Sequence, residues 1–319
     1  MKNILYYFDQ KIDELLLKET FLAAYGIPLD YKIFEWRFLN NPFDEKVYIN
    51  YILDENCLAS YYAVSPVNIE IKGVKHKIAL SNMTMTHPVH QGKGYFKTLA
   101  LDLYKKLKED GYIGIFGFAN QNSHYGFRKN LGWIDLAELS SFSTDKENLK
   151  KAPSSLNDLY NVYEEKTELK HVRATLTMNY SNQVVVPSRS ESFLTWRLIN
   201  NPINQYQTLM IRKSEELLGI LFFKFYNSSI DIMECFFNHS SGIDKNEILH
   251  YGFEYLLTKY DFKLNIWSNL HSDEHLFLEK IGFKNSHFIT YFGVIPFTQT
   301  DDLKDFANWH FRFIDSDVF

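Results

Sequence analysis

Cysteine is almost missing from this sequence. Cys57 and Cys235 are two thiols in 319 residues, too few for a disulfide framework and without the spacing of a metal site. Both stand in strand-like runs and read as small buried apolar residues. Long apolar runs are missing as well: the most apolar stretch, residues 217–223, falls far short of the ~20 residues that span a bilayer. The N-terminus lacks the apolar segment of a signal peptide, so a cytoplasmic protein without a membrane span is expected. Positive charge is not in excess. Lys and Arg number 34 against 39 Asp and Glu, for a net charge of −5 and a pI near 6.1, which argues against a nucleic-acid partner. Lys105, Lys106 and Lys108 cluster beside Glu109 and Asp110, as on a solvated helix face. What the chain does have is aromatic mass: 27 Phe and 21 Tyr supply two cores and flat binding surfaces. Its length fits two domains of about 150 residues.

Residues 87–95 read His-Pro-Val-His-Gln-Gly-Lys-Gly-Tyr. Residues 78–85 before them suit a strand, and Leu99, Leu103 and Leu107 after them recur at helical spacing. Strand, glycine-containing turn and helix together aim the unpaired amides of a first helical turn, and the positive end of its dipole, at an anion. Gly92 and Gly94 allow close backbone approach to a phosphate, and Lys93 adds charge.

With those flanks, Gln91-Gly92-Lys93-Gly94-Tyr95-Phe96 resembles motif A of the GNAT superfamily of acyl-CoA-dependent N-acyltransferases, Arg/Gln-x-x-Gly-x-Gly/Ala. Phe96 departs from the pattern at its last position and is expected to seat the helix slightly differently. A second mark follows in order. Residues 113–119 read as a buried strand, Asn120-Gln121-Asn122-Ser123 as a helix start, and Lys129-Asn130-Leu131-Gly132-Trp133 as that helix's end. This is similar to the family's Asn-rich turn and its Lys-x-x-Gly-Phe/Trp.

The resemblance implies an α/β (α+β) fold, a mixed, mostly antiparallel twisted sheet flanked by helices. It implies coenzyme A, carrying an acetyl or longer acyl group, as co-substrate and no metal. It places the cofactor on Met83, Met85, Thr86, Gln91, Gly92, Lys93, Gly94, Tyr95, Phe96 and Asn122, and Asn82 beside the acceptor. Partners are then small molecules, an acyl-CoA and an amine, in a monomer or homodimer.

The chain also repeats itself. Trp36-Arg37-Phe38-Leu39-Asn40-Asn41-Pro42 recurs as Trp196-Arg197-Leu198-Ile199-Asn200-Asn201-Pro202, too long a match for chance. Strand-like pairs follow both copies, and each half closes on a helix ending in Lys-x-x-Gly-aromatic or Lys-x-Gly-aromatic, Lys129 to Trp133 and Lys280 to Phe283. Two tandem GNAT-like domains are expected: 1–145 with the intact motif, 146–168 as a polar linker with helical potential at 155–164, and 169–319 as a degenerate copy. In that copy residues 238–244 read Asn-His-Ser-Ser-Gly-Ile-Asp, with no Gln-x-x-Gly-x-Gly and with Asp244 opposed to a phosphate. Residues 309–317 are expected to fold back onto a sheet.

Acyl transfer from a thioester needs a neutral amine, a donor for the oxyanion and a leaving thiolate. No carboxylate lies in 80–86, and the tyrosine that the family places five residues before Trp133 is replaced by Arg128. His124, Tyr125 and Arg128 are therefore the catalytic candidates, with His124 the best-placed base. His87 reads as structural before Pro88, and His90 as outward-facing. Arg37 and Glu234 are candidate acceptor contacts, although repetition of the Trp-Arg pair favours a structural role for Arg37. A base is not compulsory, and direct attack by the amine is expected. The acceptor is expected to lie between the halves. Long two-copy chains with one intact turn resemble N-acyltransferases of bacterial surface-polysaccharide pathways, which implies a dTDP- or UDP-linked amino sugar. Transfer to an amino acid, polyamine or aminoglycoside is the alternative, and a non-catalytic acyl-CoA sensor or scaffold the alternative of another class.

Overall fold

The computed structural model describes residues 2–6, 12–44, 46–151, 160–167, 169 and 184–316. The chain divides into two compact units: 1–138 with 200–203 and 290–304, and 139–199 with 204–289 and 305–319. Residues 290–304 thus belong with the N-terminal unit, where the sequence had assigned all of 169–319 to a second domain.

The first unit contains β1 (Lys2–Tyr6), α1 (Glu14–Tyr25), α2 (Tyr31–Phe34), β2 (Tyr48–Asp54), β3 (Cys57–Ile71), β4 (Val74–Thr86), α3 (Tyr95–Glu109), β5 (Gly114–Ala119) and α4 (Gln121–Leu131). Its strands lie in the order β1-β2-β3-β4-β5, antiparallel except for the parallel β4–β5 pair. Residues 291–296 pair antiparallel with β5, which is why the late segment joins this unit. Strand alternation divides the core into two layers. Tyr48, Ile52, Tyr62 and Val64 pack with Leu99, Leu103 and Leu107 of α3 and Phe127 of α4. Ile49, Tyr51, Tyr61 and Ala63 point the other way, onto Leu17 of α1 and Phe34 of α2. Each such buried Leu contributes roughly 1.5–3 kcal/mol of transfer free energy.

The second unit takes up the chain inside β6 (Ile134–Thr144) and contains β7 (Asn161–Lys166), β8 (Val185–Pro187), α5 (Glu191–Leu194), β9 (Tyr206–Lys213), β10 (Glu216–Tyr226), β11 (Ser229–Phe237), α6 (Lys245–Lys259), β12 (Lys263–Ile266), α7 (Asp273–Ile281) and the start of β13 (Lys284–Pro296). Its strand order is β6-β12-β11-β10-β9-β7, with β11–β12 the parallel pair. Asn161–Lys166 pairs with β9, so this part of the expected linker is a strand; the rest of its expected helical stretch, 155–159, lies outside the described residues. Trp309, Phe311, Phe313 and Ile314 are buried in this unit, as expected of a returning C-terminal segment.

Element order recurs along the chain. Residues 31–144 run helix, π-turn, three strands, long helix, strand, helix, strand, and residues 191–296 run the same way. Both Trp-Arg copies fall in a five-residue π-helical turn, Glu35–Leu39 and Thr195–Ile199. In the second, Arg197 is buried and donates to the carbonyls of Ile314 and Ser316, both 3.0 Å, and to the Tyr206 hydroxyl at 2.7 Å. That arginine ties down the C-terminal segment. Among the described residues no helix is long and apolar enough to cross a membrane.

Candidate functional site

The turn before α3 is built from residues that avoid capping it. Pro88–His90 form a 3₁₀ turn whose first amide, on Val89, donates to His87 Nδ1 at 3.4 Å. Gly92 and Gly94 then adopt φ of 75° and 79°, the left-handed region that glycine enters without strain. Gly94 is the N-cap of α3 and has no side chain to satisfy its first amides. A Cβ placed on either glycine would meet no atom within 4 Å, so the space over the turn is open. Lys93 Nζ stands 3.0 Å from His90 Nδ1, which is itself 3.6 Å from Asp54 Oδ2. An open helix N-terminus with two left-handed glycines and a lysine fits a pyrophosphate. Lys93 is exposed; Lys93→Ala is therefore expected to weaken coenzyme A binding by no more than ~1 kcal/mol in a titration.

Phe96 does not disturb the helix. Its ring lies against Tyr62 (centroids 5.7 Å) and Phe127 (5.4 Å), close to the backbone of Gly126. The side chain that breaks the motif is used to pack α3 on α4.

Beside this turn β4 and β5 part. Their ladder, among the described residues, is Ala79↔Ile115 and Leu80↔Phe116. Further along, β4 carries a bulge: Tyr61 faces Met85 and Ala63 faces Asn82, so Met83 and Thr84 together oppose Tyr62. Met83 has φ of 46°, a conformation costing a non-glycine residue roughly 1–2 kcal/mol. The bulge is pinned from the β3 side by Ser60, whose Oγ donates to the Met85 carbonyl at 3.2 Å, and by the Tyr25 hydroxyl, which donates to the Thr84 carbonyl at 2.6 Å. Asn82 is buried, donating to Ser65 Oγ at 2.8 Å while its Oδ1 lacks a partner.

A buried chain of polar groups ends at the first residue of the open segment. Trp133 Nε1 donates to Tyr104 OH (2.9 Å), which bonds Tyr62 OH (2.8 Å), which bonds Ser81 Oγ (2.9 Å). The indole can only donate, so Tyr104 accepts from it and keeps its own proton and a second lone pair for the bond to Tyr62. Burial pushes both phenols above their ordinary range, so they stay neutral. Tyr62→Phe strands two buried partners and is expected to lower unfolding free energy by about 1–3 kcal/mol in urea denaturation.

The catalytic candidates share α4 but face differently. Asn120 caps the helix in a capping box with Ser123, and the exposed Asn122 gives its amide to Asn120 Oδ1. One turn in, His124 lies flat on Tyr291 (centroids 3.9 Å, planes 4° apart), with Nε2 2.9 Å from Asp135 Oδ1. Arg128 Nη1 is 3.2 Å from the other Asp135 oxygen, and its side chain is largely exposed. Tyr125 is 63% exposed and accepts from Lys129 Nζ at 2.5 Å, an outward position unlike that expected of a group serving a leaving thiolate. Asp135 and Tyr291 were not foreseen. Asp135 carries no local signal, and Tyr291 arrives from 156 positions beyond it along the chain, 291 − 135.

Arg37 is half-buried with its guanidinium 6.0 Å from the Trp36 ring. Glu234 departs from its expected role as an acceptor contact. It is 1% exposed on β11, paired with Arg189 and with Arg312 (3.8 Å), and its Oε1 also accepts from the Cys235 amide at 2.9 Å. Burial pushes its carboxyl upward against the pull of the two arginines. Glu234 belongs to an internal ion network, in which Arg189 also grips Asp315 through two 2.7 Å bonds. Among the described residues no group of three or more His, Cys, Asp or Glu is arranged to hold a metal.

The decisive comparison is with the acetyltransferase (GNAT) domain model, which matches residues 16–134, the span holding the turn, the bulge and α4. Residues 16–134 are thus similar to GNAT acetyltransferase domains. The fold agrees. A conserved protein of unknown function and probable N-acyltransferase from Enterococcus faecalis V583 superposes with a TM-score of 0.68 at 12% identity, over 92% of this chain and 72% of that one. A GCN5-related N-acetyltransferase from Anabaena variabilis gives 0.59 at 12% identity (88% and 68% covered), and one from Kribbella flavida 0.60 at 10% (92% and 71%). No curated protein is significantly similar in sequence. The chain is an acyltransferase, and GNAT domains take acetyl-CoA as co-substrate.

Proposed function

We propose that the protein moves an acyl group from acyl-CoA to a primary amine, most fittingly the amino group of a dTDP- or UDP-linked amino sugar. The observation that carries the acyl-CoA reading is the uncapped N-terminus of α3, opening on free space beside the bulged end of β4. The pyrophosphate would rest on Gln91, Gly92, Lys93, Gly94, Tyr95 and Phe96, and the pantetheine along Met83, Met85 and Thr86. The amine nitrogen attacks the thioester carbonyl, C–N forms as C–S breaks, and the ammonium proton passes through water to the departing thiolate. His124, held by Asp135, is the side chain we assign to relay that proton toward the thiolate.

The matching element orders of 31–144 and 191–296 support a tandem origin. The second copy, however, differs at its turn. α6 is capped by Asp244, whose carboxylate accepts from the Asn246 amide at 3.0 Å, where α3 has Gly94. A helix start already holding a carboxylate does not recruit a phosphate. The doubled chain with one working turn is what favours the nucleotide-sugar acceptor over an amino acid, polyamine or aminoglycoside. Thiol release from acetyl-CoA across a panel of those amines tests this. Release with the nucleotide amino sugars is expected; release only with the other amines would move the acceptor class, and coenzyme A binding with no release would favour a sensor.

A further inference from the structure

The second unit contains a cavity of about 650 Å³, within the range that accommodates small ligands. It lies where β11 begins, at Ser229 and Asp231, whereas the degenerate turn 238–244 follows the other end of that strand. The cavity is therefore not the remnant of a second acyl-CoA site.

Its floor is a single polar row. Register pairs Lys224 of β10 with Asp231 of β11, Asp231 with Asn265 of β12, and Asn265 with Ser143 of β6. The neighbours of these residues in sequence, Phe223, Ile230, Ile232, Leu264, Ile266 and Phe142, point oppositely into the apolar core. Four adjacent strands thus devote one face to hydrogen-bonding groups. Ser143 donates to Asn265 Oδ1 at 2.6 Å, and Asn265 donates to Asp231 Oδ1 at 2.9 Å. Ser229 Oγ also donates to Asp231 Oδ1, at 3.3 Å. Asp231 is 2% exposed and its Oδ2 has no hydrogen-bond partner. Lys224, 4% exposed, sends its ammonium to Asn204 Oδ1 at 3.1 Å rather than into a salt bridge with Asp231. Burial lowers that ammonium's pKa to about 8, although Asp231 pulls it upward.

Two opposite charges, buried on adjacent strands and not bonded to each other, are costly unless something supplies both counter-charges. Standing directly opposite each other on neighbouring strands, the two residues offer both charges to one cavity, which suits a molecule whose ammonium and carboxylate stand on one carbon. A lone cation or lone anion would answer one of the buried charges and add net charge to the cavity. At the rim, Tyr226 and Phe288 are 59% and 56% exposed, apolar surface for a side chain. We propose that this cavity binds a small zwitterion of the α-amino-acid type, with its ammonium on Asp231 and its carboxylate on Lys224. The site is independent of acyl transfer.

Isothermal titration of the full chain with the common α-amino acids tests it, followed by the methyl ester and N-acetyl derivative of the tightest binder and by glucose. The intact zwitterion is expected to bind about tenfold or more tighter than each of the other three. Asp231→Asn and Lys224→Met should each weaken it by a similar factor while coenzyme A titration is unchanged. Absence of binding by every amino acid at about 10 mM would overturn the proposal. So would equal binding by the ester or the N-acetyl derivative, binding of glucose alone, or an Asp231→Asn chain that binds the amino acid unchanged. If either variant fails to fold, the ligand series on the unsubstituted chain decides.

Discussion

Gly94→Val is expected to weaken coenzyme A binding by at least ~10-fold while the chain stays folded. The residue has φ of 79° and is the N-cap of α3, so a β-branched side chain there strains the backbone and pulls the first amides out of line. Valine would also put a side chain into the open space that a pyrophosphate needs. Strain by itself has a clean control. Gly73, in the β3–β4 turn, has φ of 81° and equally open surroundings, so Gly73→Val carries a similar backbone penalty away from the site. Coenzyme A titration should separate the two variants, the first losing affinity and the second keeping it. Equal affinity in both would remove the phosphate turn from the account.

The largest effect on stability is expected from Arg312→Met. The arginine is 4% exposed. It donates to Glu274 Oε2 and to the Trp267 carbonyl, both at 2.6 Å, and stands 3.8 Å from Glu234 Oε1. Methionine fills similar space but leaves two buried carboxylates short of positive charge, which costs about 3–5 kcal/mol. The pH dependence follows from the carboxyl shifts. Burial pushes Glu274 upward, but Arg312 outweighs it and holds the carboxyl below its ordinary value. A depressed carboxyl contributes stability that is present above the unfolded pKa and lost as pH falls through the folded one. Glu234 is shifted upward, so it disfavours the folded state at neutral pH already, and more so without Arg312. The deficit of Arg312→Met, measured by urea unfolding, is therefore expected to be greatest near pH 7 and to shrink toward pH 4, as the stranded carboxyls take up protons. A deficit independent of pH would mean that lost packing, not charge, dominates.

The parts of this molecule that follow local rules were legible in its sequence. Gly92 and Gly94 before the Leu99, Leu103 and Leu107 stripe announced α3 and its open end. Asn120 with Ser123 announced the start of α4, because capping depends on residues three positions apart. What depends on distant pairing was not legible. The bulge at Met83 arises from register against β3, and nothing in Ser81-Asn82-Met83-Thr84 marks a left-handed methionine. The strand at 291–296 completes the first unit's sheet from far along the chain, so contiguous division at 145 and 169 could not place it. Glu234 misled for a similar reason. An acidic residue on a strand resembles a ligand contact until Arg189 and Arg312, from remote segments, arrive to neutralise it. Counting back from Trp133 lands on Arg128, and Tyr125 is the tyrosine three residues before it, but one residue along a helix turns a side chain by about 100°. That step separates the outward Tyr125 from His124 on Tyr291.

The number of coenzyme A molecules bound per chain tests the central claim most directly. The turn at Gln91 to Phe96 is open, and the corresponding start of α6 is occupied by its own Asp244. Isothermal titration of the full chain is expected to give one equivalent, abolished or strongly weakened by Gly94→Val. Two equivalents per chain, or one that survives Gly94→Val unchanged, would contradict it.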